Sequence, residues 1–247
     1  PVWILFFFKS LVACMGFLCM TQAYKHLPIS SVAPLSLLSP LFFLGISVFY
    51  LQEQLKTSHF FGIGLLLIGT YILEIDHAKA GPGFKEKLKH LLSPFKVFSG
   101  AHHAYIIFAA MFFSLSIAFD KIILEPSIIG LTLPAVKPFS LLFIFRIFTV
   151  AIFFTVLLIS SSSLRSIKSS WQHGWVWILL AAIAFNMGDY FYYHAMSLAM
   201  AALVIPVKRL SAFFTTFIGG GLFHEKQIMP KAFASLVMVG GVIMLSI

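Results

Sequence analysis

Long apolar runs separated by short polar connections dominate the chain. A helix that crosses the hydrocarbon core of a bilayer needs roughly 20 mostly apolar residues, and eight stretches meet or approach that length: 2–23, 30–50, 59–75, 104–124, 138–160, 174–197, 202–222 and 231–247. The third and the last are the shortest. Turn signals separate them, among them Leu27 and Pro28, Glu125 to Ser127, the serine run 160–163, and Met229 and Pro230. One connection is long, 76–103, where Lys79, Lys85, Lys87, Lys89 and Lys96 surround Gly81, Pro82 and Gly83 and an amphipathic piece from Phe84 to Phe98. This reads as a basic interfacial linker. The pattern predicts an all-α polytopic membrane protein with eight transmembrane helices.

The runs are not independent of one another. Glu53 and Glu225 are 225 − 53 = 172 positions apart, and the same ungapped offset pairs Trp3 with Trp175, Met15 and Gly16 with Met187 and Gly188, and Ala23 with Ala195. It also pairs Pro34 with Pro206, Ser39 with Ser211, Phe42 with Phe214 and Gly69 with Gly241. Matched Trp, Pro and Glu without a gap predict a true repeat. The second copy has two spans, 104–124 and 138–160, ahead of its Trp175, whereas the first begins almost at Trp3. The expected parent therefore has ten helices, with a further N-terminal segment of roughly 70 residues carrying two of them at about 20 residues each. An odd number of helices repeated in tandem enters the membrane in opposite senses, which predicts inverted five-helix repeats. The corresponding domains are 1–75, the last three helices of the first repeat; 76–103, the linker; and 104–247, the complete second repeat.

Composition agrees with a membrane reading. The 247 residues are 60% hydrophobic and 10% charged, against about 50% and 25% in soluble chains. The net charge of +9 lies mainly in connections, as membrane topology requires and as a nucleic-acid-binding face does not. Cys14 and Cys19 point apart on a helix, so neither a disulfide nor a metal site is expected. No nucleotide-binding loop or cofactor motif occurs. The expected partners are a small-molecule substrate, the lipid bilayer, and protons or a counter-substrate, with the chain a monomer or a homodimer.

Ionisable residues inside an apolar span are costly and usually face the bundle interior or a cavity. Lys208 and Arg209 lie about six residues into the 202–222 span, roughly 9 Å along the axis. As neighbouring cations they suit a phosphate or carboxylate ligand, or they form an internal ion pair with Asp189. Asp189 sits in the most polar stretch of any span, with Asn186, Tyr190, Tyr193 and His194. It is a candidate coupling carboxylate, and Tyr190, Tyr193 and His194 share one helical face able to line a cavity. Lys9 and Arg146 are also deep; each serves an anion site or pairs with a carboxylate of the absent helices. Asp120 and Lys121 read as boundary charges at the end of their span. An intramembrane aspartyl hydrolase using Asp120 and Asp189 is the enzymatic alternative, and a non-transporting scaffold or receptor is another. Pro34, Pro40 and Pro206 fall inside spans and are expected to break hydrogen bonding there, while Gly62, Gly64 and Gly69 and Gly219 to Gly221 permit close helix approach.

Two segments carry a family resemblance: Ala23 to Glu53 followed by Gly62 to Gly69, and Val204 to Glu225 followed by Gly240 and Gly241. Both show Ala, a short turn, a Pro- or Ser-bearing helix ending in Glu, then a Gly-bearing helix. The chain thereby resembles the EamA-type drug/metabolite transporter superfamily over essentially its whole length. The resemblance implies a secondary transporter, an exporter or exchanger working by alternating access, and not an enzyme. It gives Glu53 and Glu225 gating or loop-anchoring roles. The position of Lys208 and Arg209 looks like that of the Lys-Arg pair of the triose-phosphate/phosphate translocators, which implies an anionic metabolite. Orientation stays open. The Lys and Arg bias puts 76–103 in the cytoplasm and the C-terminus outside, whereas the family's ten-helix members keep both termini in the cytosol. The cell (inner) membrane is the expected location.

Overall fold

A computed structural model of the chain describes residues 2–26, 38–74, 101–130, 133–159, 163–208, 211 and 228–246. Apart from a single 3-10 turn, the regular structure among these residues is α-helical. The helices are α1 (Val2–His26), α2 (Leu38–Phe49), α3 (Thr57–Glu74), α4 (Ala101–Leu124), α5 (Pro138–Ile159), α6 (Ser163–Leu198), α7 (Ala201–Lys208) and α8 (Ile228–Ser246). Helices satisfy every backbone group within the segment, which is what an apolar run in lipid requires. Each of the eight apolar stretches overlaps one of these helices, 202–222 only over 202–208. Four of these helices contain a segment long and apolar enough to cross a membrane: Val2–His26, Ala104–Leu124, Pro138–Leu158 and Gly174–Leu198. Leu38–Phe49, Thr57–Ile72 and Leu236–Leu245 are shorter apolar helices. Residues 76–100 of the linker, with Pro34, Arg209 and Glu225, lie outside the described residues, and 101–103 open α4.

Two punctuation points follow from local chemistry. Within α6, Gly174 departs from helical geometry (φ −145°, ψ 18°), so the apolar span starts afresh at this residue, just before Trp175. After α4, Pro126–Ile129 form a 3-10 turn closed by Gly130 at φ 71°, the left-handed conformation that glycine adopts without a Cβ penalty.

The chain packs as two units, one of Pro1–Met15 and Leu115–Ala199, the other of Gly16–Ser114 and Met200–Ile247. In the second unit, α3 and α8 run antiparallel with backbones close together. A Cβ placed on Gly62 would lie 2.8 Å from the Gly241 carbonyl oxygen, and one on Gly241 would lie 2.8 Å from the Gly62 carbonyl oxygen. A Cβ on Gly69 would come within 2.9 Å of the Ala234 carbonyl oxygen. Leu66, Ala234 and Met238 are fully buried along this seam. The 172-residue offset carries Gly62 to Ala234, Leu66 to Met238 and Gly69 to Gly241. The contacts of Gly241 with Gly62 and Leu66 therefore map onto those of Gly69 with Ala234 and Met238. Small residues at matched positions allow this approach where the hydrophobic effect offers little drive.

The same unit fixes the start of α7. The Glu53 carboxylate accepts the backbone N–H groups of Ala201 at 2.7 Å and Ala202 at 3.0 Å, and the Ser47 hydroxyl donates to it at 2.6 Å. A negative charge on the first free N–H groups also matches the helix dipole. Elsewhere in this unit, the buried Ser114 hydroxyl donates to the Ser39 carbonyl at 2.8 Å, tying α4 to α2.

Candidate functional site

In the first unit, four helices each bring a charge into an apolar setting. Lys9 lies on α1, Asp120 on α4, Arg146 on α5 and Asp189 on α6. The Lys9 ammonium sits 2.9 Å from an Asp120 carboxylate oxygen, with side chains 1% and 5% exposed. The ammonium also lies 3.0 Å from the centroid of the Phe145 ring and donates to the Tyr193 hydroxyl at 3.4 Å. Attraction to a ring face supplements the carboxylate where water does not reach. Isolated charges would be prohibitive here, and the pairing makes both tolerable.

The second pair stands beside a groove. Arg146 donates from Nη2 to Asp189 at 2.6 Å and from Nε to the Asn186 side-chain oxygen at 2.9 Å, using the guanidinium fork on two acceptors. Asn186 in turn donates to the Ala182 carbonyl at 2.7 Å. The guanidinium lies over Phe145 and Phe185 at 5.5 and 5.2 Å, so Phe145 is shared by both cations. Asn186 and Tyr190 are the polar members of a groove of 580 Å³ whose other walls include Phe139, Leu142, Ile183, Met187 and Phe191. Tyr190 and His194 stack with ring planes 7° apart. Tyr193 faces inward and is buried.

The residues expected to matter are thus distributed unevenly. Lys9, Arg146, Asn186, Asp189, Tyr190, Tyr193 and His194 all belong to this unit. Lys208 closes α7 in the other unit, and Pro206 is buried within that helix. Pro40 is buried near the start of α2 and Glu53 anchors α7. Lys9 and Arg146, read as possible partners of carboxylates outside the chain, both find carboxylates within it.

Asp120 and Lys121, read as charges that close their span, stand near the end of α4 and are buried, 3% and 4% exposed. The Lys121 ammonium donates to the carbonyls of Met196 and Ala199, each at 3.0 Å, and pairs with Glu125 at 3.0 Å, so it caps the C-terminal end of α6.

The four charges sum to zero, two cations against two carboxylates. Each of these charges has a counter-charge within the unit. Tyr192 and Tyr193 both lie in the field of Asp120 and Asp189, so the network extends along one side of α6.

Apolar helices long enough to span a bilayer, carrying matched charges within them, define an integral membrane protein with a polar site inside its apolar helices. Residues 1–75 match the EamA-like transporter family, and this bears out the likeness to the drug/metabolite transporter superfamily. No curated protein matches the chain.

Proposed function

We propose that the chain is a secondary transporter, an exporter or exchanger of a small metabolite, with an anion as the favoured substrate class, and that it works by alternating access. The match of residues 1–75 to a transporter family carries this reading. The two cation–carboxylate pairs support it, because ionisable residues among membrane helices mark substrate and ion pathways by default. Lys9, Arg146, Asn186, Asp189, Tyr190, Tyr193 and His194 would contact substrate; the adjacent cations Lys208 and Arg209 support an anion by their residue type. The reciprocal packing of α3 on α8 under the 172-residue offset supports inverted repeats, the construction that alternating access exploits. Each carboxylate faces a cation, the reverse of the like-charge arrangement that a proton-sharing aspartyl dyad needs, which favours transport over hydrolysis. We place the protein in the cell (inner) membrane.

Proteoliposomes holding the full chain should accumulate or exchange at least one member of a panel of sugar phosphates, carboxylates and amino acids. Transport of none by folded protein overturns the reading. Equal transport of anions, cations and neutral solutes overturns the preference for an anion.

A further inference from the structure

The groove beside Arg146 and Asp189 is built mainly by one helix. From Leu179 to Phe191 its lining residues recur at steps of three and four, which places them on a single face of α6 about 18 Å long. Phe139 and Leu142 of α5 complete the lining, and 580 Å³ falls within the range of about 300–1,000 Å³ usual for small-molecule sites. The walls are apolar, and Phe139, Tyr190 and Phe191 make them rich in aromatic rings. The polar lining is two groups one helical turn apart, Asn186 and Tyr190, and each has a donor to spare. Arg146 carries donors only, so the Asn186 atom that meets its Nε at 2.9 Å is the amide oxygen. The amide nitrogen gives one N–H to the Ala182 carbonyl at 2.7 Å, and its second N–H has no partner among the described residues. The Tyr190 hydroxyl has none among them either, while its ring is set by contacts with Phe191 and His194. Arg146 and Asp189 do not line the groove; they bear on it through Asn186.

We infer that the groove binds a small solute with a flat, aromatic body and one carbonyl-type oxygen. The body lies against Phe139, Met187 and Phe191, and the oxygen accepts hydrogen bonds from the Asn186 amide and the Tyr190 hydroxyl. Arg146 is then a positioning residue. Held by Asp189, it fixes the Asn186 amide in the orientation that offers the solute an N–H and not a competing oxygen. Amides, ketones and carboxylates all carry an oxygen of this kind. A solute without one leaves both donors unpaired, and that difference is the basis of selection. The inference deepens the transporter reading by naming what this site takes, and rests on it only for the claim that the bound solute is carried.

The test is equilibrium binding of 2-naphthamide, 2-naphthoate and naphthalene to the full chain in lipid nanodiscs, with empty nanodiscs to subtract partition into lipid. Tyr190→Phe, which keeps the ring, and Asn186→Leu should each weaken 2-naphthamide and 2-naphthoate about 2- to 10-fold, the range of one net hydrogen bond. Neither should weaken naphthalene, which has no acceptor. Ala182→Trp should weaken all three. Arg146→Met combined with Asp189→Leu removes both charges together; it should weaken 2-naphthamide in the parent and add nothing once Asn186 is leucine. That absence of a further loss separates positioning of Asn186 from general support of the fold. Binding of 2-naphthamide unchanged by both Tyr190→Phe and Asn186→Leu overturns the inference, as does an equal loss of naphthalene in those variants. Binding untouched by Ala182→Trp leaves the groove to lipid chains and overturns it too. If 2-naphthoate binds and 2-naphthamide does not, charge is recognised in place of the acceptor, and the inference fails while the preference for an anion stands. The expected binding pattern with no uptake of either compound in proteoliposomes would sink the transporter reading and leave this one standing.

Discussion

Gly62 and Gly241 meet backbone to backbone, such that a Cβ on either would lie 2.8 Å from the carbonyl oxygen of the other. The obstructing atoms include main chain on both helices, beside the Leu245 and Leu66 side chains, so an added Cβ pushes the two helices apart. Gly241→Val and Gly62→Val should each cost about 1–3 kcal/mol, the usual scale of overpacking, measured as a lowered unfolding temperature in detergent. Gly64, on the same helix with nothing within 4 Å of an added Cβ, supplies the control. Gly64→Ala should leave the temperature unchanged or raise it slightly.

The Arg146–Asp189 pair should show the asymmetry of partly buried charges. Arg146→Met or Asp189→Leu alone strands a charge among apolar helices. The double variant removes both charges and so restores part of the loss. Partial exposure of the two side chains reduces the cost below that of a fully buried pair, to about 1–3 kcal/mol for each single change. A double-mutant cycle on thermal unfolding reads the coupling directly. Additive losses would show that the two groups do not depend on one another.

Glu53 makes a local prediction. With Glu53→Ala, the N–H groups of Ala201 and Ala202 lose their acceptor, and loss of a cap costs about 0.5–2 kcal/mol. Hydrogen exchange at these two amides should accelerate about 2- to 30-fold, the range that cost implies, while amides in the middle of α1 stay protected. Uniform acceleration across the chain would mean that Glu53 supports global stability and not the start of α7.

Filling the groove tests its use. Ala182 lines it beside Asn186, and Ala182→Trp puts a large apolar group into that space. If substrate passes through the groove, uptake in proteoliposomes should fall at least tenfold with an unfolding temperature within a few degrees of the parent. Undiminished uptake would place the pathway elsewhere.

The helices were legible because length and hydropathy are properties of a single run, and a bilayer allows little besides helix for such runs. The depth of Lys9 and Arg146 was legible for the same reason. Their partners were not. Whether Lys9 faces Asp120 or another carboxylate depends on how α1 and α4 are rotated about their axes, and apolar residues on every face of these helices leave that rotation unmarked. Asp120 was further disguised by Lys121, since two adjacent charges resemble the end of a span. Glycine spacing was more informative, because Gly69 and Gly241 share the repeat offset that also relates their contacts.

That shared offset gives the α3–α8 seam a meaning beyond tight packing. A surface that meets its own shifted counterpart in antiparallel register is self-complementary, as the face of a two-fold homodimer is. A single helix carrying this pattern of small residues would present a face that fits an antiparallel copy of itself.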